Sequence, residues 1–293
     1  MTDSPIIQRL GIVGTGRAAR AFAVGLGPHS ASPPAVWGRD PAKREHAAFE
    51  IGRSTPFEDL PDLASACDVI IIAVADDAIP TIVEELARAW PTGRASLAFH
   101  LSGRSGAAIL APLHERGART AAVHPAMTFT GDPRIEVERM AGAHFAVTAS
   151  SGEATDQAHA LVRALGGLPF DIDEQQRTLY HAALSHGANH LVTLLAGAMR
   201  ALRAAGAAEP GALLAPLVRA ALENSLERGM GALSGPVLRG DAETISGHLA
   251  ALQADCPELL GAYCAMAAAT IDELERQGSP HPRAAIRAIL KRS

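Results

Sequence analysis

The sequence predicts a doubly wound α/β domain on a mainly parallel sheet, residues 1–173, followed by an all-α domain, residues 174–293. Three observations carry this. Up to about residue 173, short β-rich runs alternate with alanine-rich stretches of helical period. One of those runs, residues 68–75 (DVIIIAVA), is apolar almost throughout, as a parallel strand covered by helices on both faces requires. Beyond residue 173 the helical period continues without a strand pattern.

In chain order, the predicted strands are 10–13, a short one ending at Val36-Trp37, 68–75 as the central strand, 95–99, 120–123, 143–148 and 168–172. The predicted helices of the second domain are 174–206, 210–230, 241–252 and 257–277, with loops at 229–240 and 278–282. Residues 179–203 are small and apolar nearly all round, which predicts a buried helix.

Composition sets limits on function. With 26 Lys and Arg against 31 Asp and Glu, the net charge of -5 offers no basic excess for a nucleic-acid backbone or an anionic membrane. Residues 191–208 are broken by Arg200 and Arg203, and no run approaches the ~20 apolar residues of a membrane span. The first residues, MTDSP, have no basic region followed by an apolar stretch, so no signal peptide is expected. Cys67, Cys256 and Cys264 have no C-x-x-C spacing and are expected as buried thiols in a reducing, cytoplasmic setting. Lys43 and Lys291 are the only lysines, so a mechanism needing lysine must use one of them.

The first chemical motif is Gly11-Ile-Val-Gly14-Thr15-Gly16-Arg17-Ala-Ala19, a G-x-G-x-x-A between a strand and a helix. Gly14 permits the tight turn, Gly16 lets a pyrophosphate approach the backbone, and Ala19 lets the helix close on the strand. Thr15 and Arg17 are expected to flank the phosphates. At the end of the second strand stands Arg39, with no acid on the strand itself to hold a ribose diol. An arginine there pairs bidentately with the extra phosphate of NADP, with Lys43 and Arg44 a turn further on, so NADP (NADPH) is the expected cofactor. A solvated helix-start arginine is the plainer alternative.

Ligands on such sheets bind beyond the carboxyl ends of the strands. Those positions hold Ala75-Asp76-Asp77, His100-Leu-Ser102-Gly103 and His124-Pro-Ala-Met-Thr-Phe129. Asp76 and Asp77 read as caps of the next helix. Ala75 and His100 are expected beside the cofactor, and Ser102 and His124 beside a substrate; satisfied polar loops are the alternative.

These motifs resemble the Rossmann domain of a bacterial family related to pyrroline-5-carboxylate reductase, ketopantoate reductase and the 6-phosphogluconate dehydrogenase superfamily. In that family a helical domain of unknown function follows, of the 6-phosphogluconate dehydrogenase C-terminal type. Its signature stretches resemble Tyr180-His-Ala-Ala183, Ala188-Asn-His190 and residues 232–241 (ALSGPVLRGD), with His248 beyond. In the related hydroxyacid dehydrogenases and ketopantoate reductase, a lysine and an asparagine on the corresponding helix activate and orient the substrate carbonyl. Asn189 fits the asparagine, whereas Ser185 or His186 stands where the lysine would.

On a continuous helix His181, Ser185 and Asn189 share one stripe, with Tyr180, His186 and His190 beside it. His181 is the first candidate proton donor, His124 the next; Asn189 would orient the substrate and Tyr180 donate to it. Each also reads as a packing residue. His186 and His190 have metal-ligand spacing, but Gly187 stands where a catalytic glutamate belongs and no third ligand is evident, so no metal is expected. Arg239 reads as a carboxylate clamp or, with Asp241, as part of a loop pair that caps the next helix.

The resulting expectation is an NADP-dependent oxidoreductase acting on a small carbonyl, 2-oxo acid or cyclic imine between a Rossmann and a helical domain. Apolar helical faces in the second domain imply a homodimer, as in related reductases. The alternative is a non-catalytic NADP-binding redox sensor or scaffold, favoured by the missing lysine. A third is a reduced deazaflavin in place of NADPH.

Overall fold

The computed structural model describes residues 6–91, 96–279 and 283–291. The expected strand start at Ala95, the loop residues 280–282 and the first five residues lie outside the described residues. The chain divides into two compact units, residues 1–185 and 186–293. The first thus extends past Asp173 to include the helix that follows the sheet.

Unit 1 runs β1 (Leu10–Val13), α1 (Arg17–Leu26), β2 (Ala35–Trp37), α2 (Pro41–Ile51), β3 (Thr55–Pro56), α3 (Leu60–Ala66), β4 (Val69–Ile72) and α4 (Ile79–Ala89). It continues with β5 (Leu97–His100), α5 (Ala111–His114), β6 (Arg119–Pro125), α6 (Pro133–Met140), β7 (His144–Ala149), α7 (Gly152–Ala164), β8 (Leu168–Asp171) and α8 (Arg177–Leu184). The sheet order is β3-β2-β1-β4-β5-β6-β7-β8, parallel except where β6 meets β7. This is the doubly wound order, with the direction of winding reversing between β1 and β4. The two-residue β3 was not expected, because Thr55-Pro56 is too short to show a period.

Strands β1, β4 and β5 are buried along their whole length. Ile71 faces a core shared with Phe22, Phe99 and Phe145, while Ile70 and Ile72 face the other, with Leu63, Val83 and Leu86. That two-sided burial is why the sequence shows a continuous apolar run here. Each of these three isoleucines contributes about 1.5–3 kcal/mol relative to exposure. Cys67 and Cys256 are buried and Cys264 is partly so.

Unit 2 contains α9 (His190–Ala204), α10 (Pro210–Arg228), α11 (Pro236–Arg239), α12 (Ala242–Asp255), α13 (Leu260–Arg276) and α14 (Ala284–Leu290). Its small core is Ile245, Leu249, Leu260, Ile271 and Ile286. The buried Arg283 donates to the carbonyls of Val237 and Leu238 and so fixes α11. Asp241 caps α12 by accepting from Thr244 N–H, which is the capping alternative anticipated for that loop.

Two expectations need correction. The helix predicted over 174–206 is broken by a π-helical turn, Ser185–Asn189, between α8 and α9. Its i to i+5 hydrogen bonds widen the turn, so His181, Ser185 and Asn189 do not form one stripe. Nor is 179–203 buried: Leu179, Val192 and Leu194 are exposed, and Gly197 is the one buried residue of α9. In α10 only Pro210 is buried, and Leu213, Leu217, Leu222 and Leu226 are exposed. An apolar cleft of about 760 Å³, walled by Leu194, Val237, Leu252, Ala262 and Met266 among others, lies within this unit. Among the described residues, no helix is long and apolar enough to cross a membrane.

Candidate functional site

The β1–α1 corner has the geometry the glycine motif demands. Gly14 has φ +133°, and a Cβ there would sit 2.2 Å from the Ala73 carbonyl oxygen, so no other residue fits without displacing backbone. Its N–H donates to Trp37 O at 2.8 Å, tying the turn to β2. Gly16 is the N-cap of α1, and a Cβ there would meet nothing within 4 Å. No side chain caps this helix and its first turn holds no acid, so N–H donors and the positive helix end face open space. Ala19 is buried against the strand, as expected. Thr15 packs over Gly38, where a Cβ would lie 2.5 Å from its methyl carbon.

Arg39 follows, exposed, while the neighbouring Asp40 caps α2. Arg17 donates to Phe129 O at 3.2 Å, so the loop after β6 is held beside the glycine turn. Ala75, three residues beyond β4, is exposed and precedes a short 3-10 turn, Asp76–Ala78.

A second cluster forms where the turns after β4 and β5 meet the end of β6 and α8. His100 is fully buried; Ser102 N–H donates to its Nδ1 at 3.1 Å and its Nε2–H donates to Gly106 O at 2.9 Å. Both ring nitrogens are therefore engaged inside the loop, which corrects the expectation of a donor facing the cofactor. Burial, reinforced by the Arg177 charge, lowers its pKa to about 4, so the ring is neutral. The Ser102 hydroxyl donates to Asp76 Oδ2 at 2.8 Å, and Arg104 donates to the same oxygen at 3.0 Å. Asp76 thus ties two loops together instead of capping the next helix, a correction to its sequence reading. Glu174 accepts from Ala108 N–H at 3.2 Å and holds the far side of that loop.

His124, Tyr180 and His181 come together. Tyr180 Oη and His124 Nδ1 lie 2.9 Å apart, and the His124 and His181 rings meet edge to face at 6.0 Å. Burial first, then Arg177 and His181, lower the His124 pKa to about 4, while burial raises that of Tyr180. Gly103 makes this packing possible: a Cβ would lie 2.6 Å from His181 Cδ2 and 2.9 Å from His124 Nε2.

The residue that sequence reasoning missed is Arg177. It is fully buried and donates to Thr148, Ser102, Ala122 and Ala146. The available signal was its spacing, three and four residues before Tyr180 and His181, which puts all three on one helical face. Asn189 lies exposed at the start of unit 2, where the exposed His186 and His190 have Nδ1 atoms 3.2 Å apart. Among the described residues, no three His, Cys, Asp or Glu side chains gather as metal ligands.

Residues 4–125 match the model of the Rossmann-like domain, and residues 143–270 match a domain of unknown function, DUF2520. No curated protein matches the sequence. Among solved structures, an imine reductase from Myxococcus stipitatus in complex with NADP+ superposes with a TM-score of 0.70 at 19% identity, covering 97% of this chain and 99% of that one. A reductive aminase from Aspergillus terreus, in complex with NADPH and ethyl-5-oxohexanoate, gives 0.67 at 20% identity over 97% and 99%. A Plasmodium falciparum pyrroline carboxylate reductase with NADP bound gives 0.54 at 14% identity over 77% and 80%. At these identities the likeness is one of fold. The chain is therefore similar to the Rossmann-like domain in its first part and to the DUF2520 domain in its second.

Proposed function

We propose that the protein is an NADP-dependent oxidoreductase acting on a small carbonyl, 2-oxo acid or cyclic imine. The observation that carries the reading is the β1–α1 corner: Gly14 can only be glycine, and the space beside Gly16 faces an uncapped helix N-terminus without a neighbouring acid. These residues fit a dinucleotide pyrophosphate, with Thr15 and Arg17 flanking it and Arg39 and Lys43 available to a ribose phosphate. When bound, NADPH supplies the hydride. The superposing imine reductase, reductive aminase and pyrroline carboxylate reductase hold NADP+, NADPH and NADP, respectively, which supports the same cofactor.

On this reading the chain's own residues manage the proton. A neutral His124 donating from Nδ1–H to the Tyr180 oxygen leaves the phenol O–H free to protonate a carbonyl oxygen or imine nitrogen as negative charge develops there. His181 is the second candidate donor. Asn189→Ala tests whether unit 2 contributes to turnover. The exposed leucines of α10 support a homodimer; a monomer by light scattering would remove that part. The buried thiols are consistent with a reducing, cytoplasmic setting.

The test is NADPH oxidation with a panel of cyclic imines, 2-oxo acids and small ketones. Turnover with one class, reduced in Tyr180→Phe at unchanged NADPH affinity, supports the proposal. Tight NADPH binding with no turnover on any class favours a sensor or scaffold.

A further inference from the structure

Arg177 is the largest fully buried side chain among the described residues, and no carboxylate is hydrogen-bonded to it. Nε donates to Thr148 Oγ1 at 2.9 Å, Nη1 to Ser102 O at 3.0 Å, and Nη2 to both Ala122 O and Ala146 O at 2.9 Å. Burying a guanidinium without an anionic partner is costly. The cost is offset by geometry that an apolar side chain could not supply, since one planar fork collects acceptors from β6, β7 and the turn after β5. Arg177 also opens α8, so whatever fixes it fixes the helical face on which Tyr180 and His181 follow.

We propose that Arg177 is a positioning residue: it seats the first turn of α8 on the sheet and thereby sets the Tyr180–His124 hydrogen bond and the approach of His181 to Gly103. Its charge has a second consequence. His124 faces Arg177, Tyr180 and His181 from α8, His100 from β5 and Asp76 from the turn after β4. Burial is the main cause of its low pKa, Arg177 the next, and Asp76 opposes them. Arg177 therefore helps hold His124 as a neutral hydrogen-bonding partner of Tyr180.

The inference rests on the functional reading only for its kinetic readout, so a titration tests it separately. Imidazole NMR of Arg177→Met should show the His124 pKa raised from about 4, yet below 6.5 because burial remains. Arg177→Lys keeps the charge and loses the fork: His124 should stay neutral near pH 5 while kcat falls roughly ten- to a hundredfold at unchanged NADPH affinity. If Arg177→Met does not fold, Arg177→Lys and Thr148→Val carry the test. Thr148→Val removes one acceptor and should weaken the Tyr180–His124 coupling without moving the His124 pKa. A folded Arg177→Met with an unmoved His124 titration, or an Arg177→Lys enzyme with wild-type kcat, overturns the proposal. Absence of NADPH binding in the wild type would sink the functional reading and leave the titration to decide this one.

Discussion

The glycine corner and the histidine cluster sit on the same sheet and treat their polar groups in opposite ways. At the corner, the first N–H groups of α1 have no side-chain partner and Gly16 borders empty space. In the cluster, His100, Ser102, Asp76 and Arg177 satisfy one another, and His124 and Tyr180 form a pair. The contrast separates binding from chemistry. Unused donors mark where an anion belongs, whereas a self-satisfied network fixes positions and protonation states and reveals a substrate only through the groups left facing outward.

The corner breaks most easily. Gly14→Ala places a Cβ 2.2 Å from the Ala73 carbonyl oxygen and asks alanine to hold a φ of +133°. Destabilisation on the order of 3 kcal/mol and loss of nucleotide binding are expected, read by denaturant unfolding and calorimetric titration. Near-normal stability and affinity would show that the corner does not need its geometry.

The cluster should show itself in acid. The buried His100 has a pKa of about 4, whereas an imidazole in the unfolded chain titrates near 6.5. Below pH 6.5 the unfolded chain takes up a proton that the folded chain refuses. Stability present above pH 6.5 is therefore lost as pH falls toward 4, by about 3 kcal/mol from this residue. His100→Asn should be less stable at pH 7 yet show a flatter decline; an unchanged slope between pH 7 and pH 4.5 would contradict the assignment.

The smallest effect belongs to the pair. Tyr180→Phe keeps the ring against His124 and Phe170 and removes one hydrogen bond, about 1 kcal/mol of stability. NADPH affinity should not change, while turnover falls. A variant with full turnover would move the proton donor to His181.

Much of the fold was legible because it is written in local patterns: the apolar run over residues 68–75, of which only Val69–Ile72 form β4, the glycine spacing at residues 14 and 16, and the switch to helical period after Asp173. The site was legible in its residue types at the strand ends. Its partners were not, because they depend on long-range packing. Arg177 looks like an ordinary helix-start arginine until the fold brings Ser102, Ala122 and Ala146 to it. Asp76 reads as a cap because its real partner, Ser102, is 26 residues away. The π-helical turn at Ser185–Asn189 has no period signal at all, and it dissolved the stripe on which Asn189 was placed.

The central claim is that the glycine corner binds a phosphorylated nicotinamide dinucleotide. Thermal stabilisation by NADPH, NADP, NADH and NAD, measured side by side on the wild type and Arg39→Ala, tests it most directly. Stabilisation of about 2.7 kcal/mol is expected at one hundred times the dissociation constant. The account predicts a clear preference for the phosphorylated pair that disappears in Arg39→Ala. No stabilisation by any of the four would contradict it.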